Sequence, residues 1–416
     1  MSRMLGGYEL IADLGWGGIG VVHAGRRSGG AGLRKRVAVE VLGGALMAEP
    51  ERLRRYLAEV GRAAEVEHPN VLQVFEVGEA EGCSFVVQEF VDGCLLERLL
   101  AALSHAKKRL PAALAARVLA DASAGLAAAH DLGLVHGDLA ADRVLLGYAT
   151  GQAKVTGFGA VAARPVAPRQ GSPEARMGCS APECFEGAAP DARTDVFALG
   201  AILYRASLGR APFSGPTDAA VMHAVLKGDP AVPSRLDPTY PPDLERVVLR
   251  ALARDPASRP ASVAEFGGEL ERFLETARAS HAGVRAVLQT VFPVTDPERA
   301  QLASQLDLAS GPAASAQVSP RAAPLGSPAA APLAALRTPP PVAAPPRARR
   351  VTESRMPAMA SSPPSAPAAP QALAPKPATP PVTVTPPRRN PSPASDHHDL
   401  WAELDRLERE FPPGDS

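Results

Sequence analysis

Aromatic side chains are scarce. Phe, Trp and Tyr make up 4% of the 416 residues, too few to pack a core along the whole length. Net charge is absent, with 44 Lys and Arg against 44 Asp and Glu. That balance argues against a chain that works mainly by wrapping nucleic acid or coating an anionic membrane. Cysteine is sparse. Cys83, Cys94, Cys179 and Cys184 form no CxxC pair and have no matching His spacing, so neither a zinc knuckle nor a disulfide framework is indicated and free thiols in a reducing cytosol are expected. There is no uninterrupted apolar run of the roughly 18 residues that reads as a membrane span. Met1 to Gly7 lacks a basic stretch followed by an apolar one, so no signal peptide is visible and a cytoplasmic location is expected.

Proline, by contrast, is abundant and unevenly placed. Of 44 prolines, 23 fall between Ser310 and Ser395. Most other residues there are Ala, Ser, Thr and Arg, a composition that buries too little apolar surface to offset chain entropy, so 310–395 reads as a disordered linker. It holds eight Arg and one Lys against the single acid Glu353, while 396–416 holds seven acids against two Arg. A basic arm thus ends in an acidic tip. In that tip Leu400, Leu404, Leu407 and Phe411 recur at helical spacing beside Trp401, which suggests an amphipathic docking helix. Ser and Thr residues before proline in the arm, such as Ser319, Thr338 and Ser392, are accessible phosphorylation sites if the arm is disordered.

Residues 8–279 have ordinary core-forming density. Tyr8–Asp13, Val21–Ala24 and Val37–Leu42 alternate like antiparallel strands, and Glu51–Glu65 is amphipathic. From Leu95 the pattern turns helical, as in Ala112–Leu132 and Thr194–Leu208. An α+β fold follows, with a small β-rich lobe over about 8–92 and a larger helical lobe over about 93–279. Two short amphipathic helices, Val284–Phe292 and Pro297–Leu306, occupy 280–309 and are expected to pack on the large lobe or on a partner.

The chemistry-bearing motifs come in a fixed order. Gly15-Trp16-Gly17-Gly18-Ile19-Gly20 lies between two strands, which disfavours a dinucleotide fold and suits a loop covering phosphates. Arg36-Val37-Ala38-Val39-Glu40 follows on the third strand. Then come Gln88-Glu89-Phe90-Val91, His136-Gly137-Asp138-Leu139, Gly157-Phe158-Gly159, Ala181-Pro182-Glu183, Asp195 to Gly200 and Asp255 to Pro260. In order and spacing the chain resembles the bacterial Hanks-type serine/threonine protein kinases from Tyr8 to about Leu274. The resemblance implies the two-lobed protein-kinase-like fold. It implies ATP contacts at Leu14, Gly15, Gly17, Gly20, Val22, Ala38, Glu89, Val91 and Leu145. It also implies structural roles for Glu183 paired with Arg259 and for Asp195 capping the catalytic loop.

Against that family the catalytic positions diverge. The strand motif V-A-[IV]-K places a phosphate-binding lysine where this chain has Glu40, and the helix glutamate that holds it matches Glu59. Two carboxylates replace an ion pair, so either the helix swings away or one carboxyl titrates upward. Lys35 alternates to the wrong face. Arg36 lies roughly 13 Å back along the strand. Gly20 offers no substitute. Asp138, the proposed base, remains, but the neighbouring loop positions are Gly137, Ala140 and Arg143 in place of Arg, Lys and Asn. The magnesium-binding aspartate is Gly157. These changes imply no metal site, unlikely magnesium binding and weak ATP binding at most. The expected function is a pseudokinase acting as scaffold or regulator in bacterial Ser/Thr phosphorylation signalling. Its partners would be other proteins, an active kinase or its substrate, bound through the large lobe and C-terminal tail, with no nucleic acid. The alternatives are an active serine/threonine kinase with unusual site residues, or a different transfer such as nucleotidylation on the same fold.

Overall fold

The computed structural model describes residues 3–27, 35–164, 172, 174 and 177–309. They belong to one of the two units into which the chain divides, and the other, Ala314–Ser392, lies outside the described residues. So does the 396–416 tip, with its Leu400–Phe411 stripe.

The small lobe is built on a six-stranded antiparallel sheet in the order β1-β2-β3-β4-β6-β5. Its strands are β1 (Arg3–Leu5), β2 (Tyr8–Trp16), β3 (Gly20–Arg27), β4 (Arg36–Leu42), β5 (Val74–Ala80) and β6 (Cys83–Glu89). Strand β1 extends the expected meander. It is folded back on β2 through Gly6 and Gly7, whose φ of +52° and +89° only glycine adopts readily. After β4 come α1 (Gly44–Met47) and α2 (Pro50–Ala63). Pro50 at the first helical position has its φ already set for the helix. Helix α2 turns Tyr56, Val60 and Ala63 inward; Tyr56 and Val60 meet Ile19, Leu42, Leu46 and Val86, while Ala63 joins the main core with Val66 and Val71.

A second sheet carries the catalytic-loop region: β7 (Gly93–Leu95), β8 (Val144–Gly147) and β9 (Ala153–Val155). The large lobe surrounds α4 (Ala112–Asp131), which follows α3 (Leu96–His105). By length and composition α4 is apolar enough to cross a membrane, yet 72% of its most apolar window is buried inside the lobe. It is a core helix. Its alanines let neighbours approach closely, so Leu, Val and Ala fill a core that has few aromatics to draw on.

Further helices follow: α5 (Ala160–Ala163), α6 (Pro182–Phe185), α7 (Ala192–Leu208), α8 (Asp218–Lys227), α9 (Pro233–Leu236), α10 (Pro242–Ala251), α11 (Val263–Ala277), α12 (His281–Val291) and α13 (Pro297–Ala309). Helix α7 opens on a capping box between Asp191 and Thr194 and closes on Gly209 at φ +70°.

The last two helices part company. Helix α12 packs on the large lobe, where His281 Nε2 lies 2.9 Å from Asp121. Helix α13 starts there, with Arg98 2.9 Å from Glu298 and Arg299 over the Tyr148 ring at 4.2 Å. It ends on the small lobe, with Leu306 buried against Ala12 and Ala24 and Leu302 beside Ile11 and Phe90. The start of α13 thus packs on the large lobe as expected, and its end packs on the small lobe, which was not expected. The helix is not amphipathic along its length; Leu306 alone, with Leu302 beside it, fits a patch on β2 and β3 where two alanines leave room for leucine.

Candidate functional site

The glycine-rich loop between β2 and β3 is closed by a hydrogen bond from Gly17 N to the Gly20 carbonyl at 2.8 Å. Its tip folds inward. Ile19 is 4% exposed and packs on Leu46, Tyr56, Val60, Ala160 and Ala163. Beneath the loop, β4 places Glu40 opposite Val22 on β3 and Val86 on β6. The carboxylate is buried. Oε1 accepts from Gly20 N at 3.2 Å, Oε2 accepts from Gln88 Nε2 at 3.5 Å, and the Ile19 amide also bonds it. Burial pushes the Glu40 carboxyl up from 4.5 to about 7, although the positive charge of Arg143 and these donors pull it back. Burial, and then the Glu40 charge, raise the Tyr56 hydroxyl well above its usual range.

Arg143 enters the same space from below. Ala140 is extended, and a single 3-10 turn over Ala141–Arg143 throws the side chain upward. The Thr156 amide holds the Arg143 carbonyl at 3.0 Å. The guanidinium is 6% exposed. Its Nη1 donates to the Gly17 carbonyl at 3.1 Å. It also lies 3.7 Å from Asp138 Oδ2 and 3.8 Å from Asp142 Oδ2. Two glycines make room for it. A Cβ on Gly18 would sit 2.5 Å from Nη2, and one on Gly157 would sit 2.5 Å from Cδ. Both have positive φ, +97° and +85°. Buried Nε, facing Gly157, has no hydrogen-bond acceptor among the described residues.

Asp138 is buried and held from two sides, by Arg143 and by an ion pair from Arg164 Nη2 to Oδ1. Arg52 on α2 in turn donates to the Arg164 carbonyl, tying helix, segment and loop together. Below them Asp195, fully buried, accepts from the backbone amides of His136 at 2.9 Å and Gly137 at 2.8 Å. Gly137 itself has φ +64°, and Pro190 and Val161 crowd the place of a Cβ. Arg259, with no exposed side-chain surface, grips Glu183 with two bonds of 2.8 Å. Planar bidentate pairing of this kind fixes geometry as well as charge.

A two-lobed architecture, a glycine loop over the cleft and an Asp-capped loop bearing Asp138 are the frame of one family, and its protein kinase domain matches residues 8–266. The chain belongs to the Hanks-type protein kinases. It is 33% identical over 279 residues to the tyrosine-protein kinase MasK of Myxococcus xanthus, covering 65% of this chain and 43% of that one. It is 34% identical over 281 residues to the serine/threonine-protein kinase PknB of Mycobacterium tuberculosis, with the same two shares. The chain therefore spans less than half the length of these curated relatives. The crystal structure of the PknI kinase domain from Mycobacterium tuberculosis superposes with a TM-score of 0.52 at 26% identity, covering 65% of this chain and 97% of that one.

Within this kinase frame the sequence-derived residues take definite places. Glu40 and Glu59 do not face each other. Glu59 is 37% exposed and pairs with Arg62 at 3.3 Å, while Tyr56 of the same helix fills the space near Glu40. The expected repulsion is relieved by separation. Lys35 stacks on Phe75 at 4.1 Å and Arg36 reaches Asp307 at 3.4 Å, both away from the cleft. Val22, Ala38 and Leu145 line β3, β4 and β8, with Leu14 exposed at the rim. Glu89 turns its carboxylate to Lys154 at 3.0 Å, and its amide donates to the Gln73 carbonyl at 2.8 Å. Val91 follows, partly buried, at the lobe junction, and Gly15 takes φ +103° at the start of the loop.

The family's magnesium does not fit these residues. It needs oxygen ligands, and the position presents a guanidinium with an orphaned donor beside Gly157. Ile19, Tyr56, Arg52 and Arg164 are site residues that motif reading missed, because no motif names them. The pairing of a new Arg143 with a new Gly157 was the available signal.

Proposed function

We propose that this kinase-family chain is a pseudokinase that regulates or scaffolds protein phosphorylation without transferring phosphate. The observation that carries this reading is the Arg143 guanidinium, buried between Gly18, Gly157 and Asp138. It puts a fixed cation where the chemistry needs a mobile divalent one, and it spends part of the Asp138 charge. Phosphoryl transfer rests on positioning and charge stabilisation. Loss of one preorganised donor in other enzymes costs about 10²–10³ in rate. ATP binding is then weak and independent of magnesium. The partners would be other proteins, a kinase or its substrate, docking on the large lobe and the C-terminal segments, in the cytoplasm.

A second reading, an active serine/threonine or tyrosine kinase, is favoured by the retained Asp138 and by the activities named for the relatives. It requires Arg164 and Arg143 to leave Asp138. Labelled phosphate transfer from ATP to a generic protein acceptor separates the two. The pseudokinase reading expects the wild type to match an Asp138→Asn control. Turnover at least tenfold above that control refutes it.

A further inference from the structure

Three features of the cleft belong together. The carboxylate of Glu40 takes the amides of Gly20 and Ile19, which line the inside of the glycine loop. The guanidinium of Arg143 lies under the same loop, bonded to the Gly17 carbonyl. Its Nε, 6% exposed as a side chain, has no acceptor among the described residues. Buried donors are nearly always satisfied, and an orphan marks the place of an absent acceptor. Loop amides plus a guanidinium are what a chain of phosphates binds. Here one internal anion already uses the amides.

We propose that Glu40 is a built-in competitor for polyphosphate, and that once its charge is removed the cleft accepts a nucleoside triphosphate without magnesium, with Arg143 as the counter-ion. The proposal rests on the pseudokinase reading, since it assigns Arg143 the place of the metal. In the bound state phosphate oxygens take the Gly20 and Ile19 amides and the unpartnered Nε donor of Arg143. Arg164 keeps its hold on Asp138, so that carboxylate does not draw Arg143 away. The side-chain charges and dipoles facing Glu40 are few: Arg143 from the catalytic loop, the Tyr56 hydroxyl from α2 and the Gln88 amide from β6. Arg143 alone among them carries charge at neutral pH. Neutralising Glu40 therefore removes one of the three carboxylates around Arg143, leaving Asp138, which Arg164 shares, and the partly exposed Asp142.

The test is calorimetric titration of the full chain with ATP in EDTA and, separately, with excess magnesium. Wild type, Glu40→Gln and Glu40→Gln with Arg143→Met are compared at pH 8. Glu40→Gln should bind at least tenfold more tightly than wild type, should lose that gain with Arg143→Met, and should bind no better with magnesium. A gain of less than threefold, a gain that survives Arg143→Met, or binding that needs magnesium overturns the proposal. Should Glu40→Gln misfold, wild type alone decides. If only the neutral form is competent, affinity in EDTA should rise by about tenfold between pH 8 and pH 6, after correction for protonation of the ATP terminal phosphate measured by titration in buffer alone. A flat profile overturns it. Phosphate transfer is measured on the same wild-type sample. Transfer in magnesium defeats the pseudokinase reading itself, whereas magnesium-free binding that fails without any transfer defeats only the Glu40 proposal.

Discussion

Replacing Glu40 by glutamine should stabilise the protein at alkaline pH and leave it nearly unchanged in acid. The buried carboxyl titrates near 7 in the folded chain against 4.5 when free. Between those values the folded state keeps a proton that the unfolded state has lost. The stabilisation is therefore fully present below pH 4.5 and disappears as pH rises through about 7. A difference of this size is worth about 3 kcal/mol at 1.36 kcal/mol per unit. Glutamine never ionises, and in the absence of phosphate its neutral amide oxygen is a weaker acceptor for the Gly20 amide than the carboxylate is. Arg143 keeps Asp138, Asp142 and the Gly17 carbonyl as partners. At pH 8 the variant should thus exceed wild type by up to about 3 kcal/mol, and the gap should close as pH falls to 4.5. For a domain of this size that is a melting difference of roughly 6–12 °C. Denaturant unfolding at a series of pH values measures it directly. Parallel curves, or a variant less stable than wild type at pH 8, would mean that Arg143 holds Glu40 ionised and that the burial argument fails.

Gly157→Asp alone should cost about 1–3 kcal/mol, because a Cβ there meets Arg143 and the φ is positive. Combined with Arg143→Asn the cost should shrink, with a coupling of about 1 kcal/mol or more in a double-mutant cycle read by thermal unfolding. Arg259→Met leaves the Glu183 carboxylate without its bidentate partner and should destabilise by about 3–5 kcal/mol, seen as a lowered denaturation midpoint. Leu306→Ala should cost about 2–4 kcal/mol of docking and speed hydrogen exchange in β2 and β3 while leaving α4 protected.

Much of the frame could be read from residue pattern. Alternation marked β2, β3 and β4, and the helical periods marked α2, α4 and α7 to within a few residues. Glu183, Arg259 and Asp195 were named from motifs because their roles depend on backbone geometry that a whole fold shares. Strand β1 was missed although Gly6-Gly7 between Leu5 and Tyr8 is a two-residue turn signal. The pattern over 297–306 revealed a helix, but not the amphipathic one expected, since its apolar and polar residues are spread around it; nor could it show which lobe receives Leu302 and Leu306, since that depends on Ala12 and Ala24 being small on distant strands. The site was harder still. A substitution list treats Glu40, Arg143 and Gly157 as separate losses. In three dimensions they are coupled, because Arg143 needs the space that Gly18 and Gly157 leave, and Glu40 needs the field of Arg143 and the loop amides. Side-chain direction at Arg143 comes from the extended Ala140 and the turn after it, which no spacing rule reports.

If the buried Arg143 guanidinium holds the place of the metal as proposed, no phosphate is transferred. A single-turnover assay tests it most directly, with the full chain in excess over labelled ATP, in magnesium and in manganese, and an acceptor protein present. The wild type should leave ATP intact to the same extent as Asp138→Asn in either metal. Metal-dependent transfer by the wild type that Asp138→Asn abolishes would contradict it.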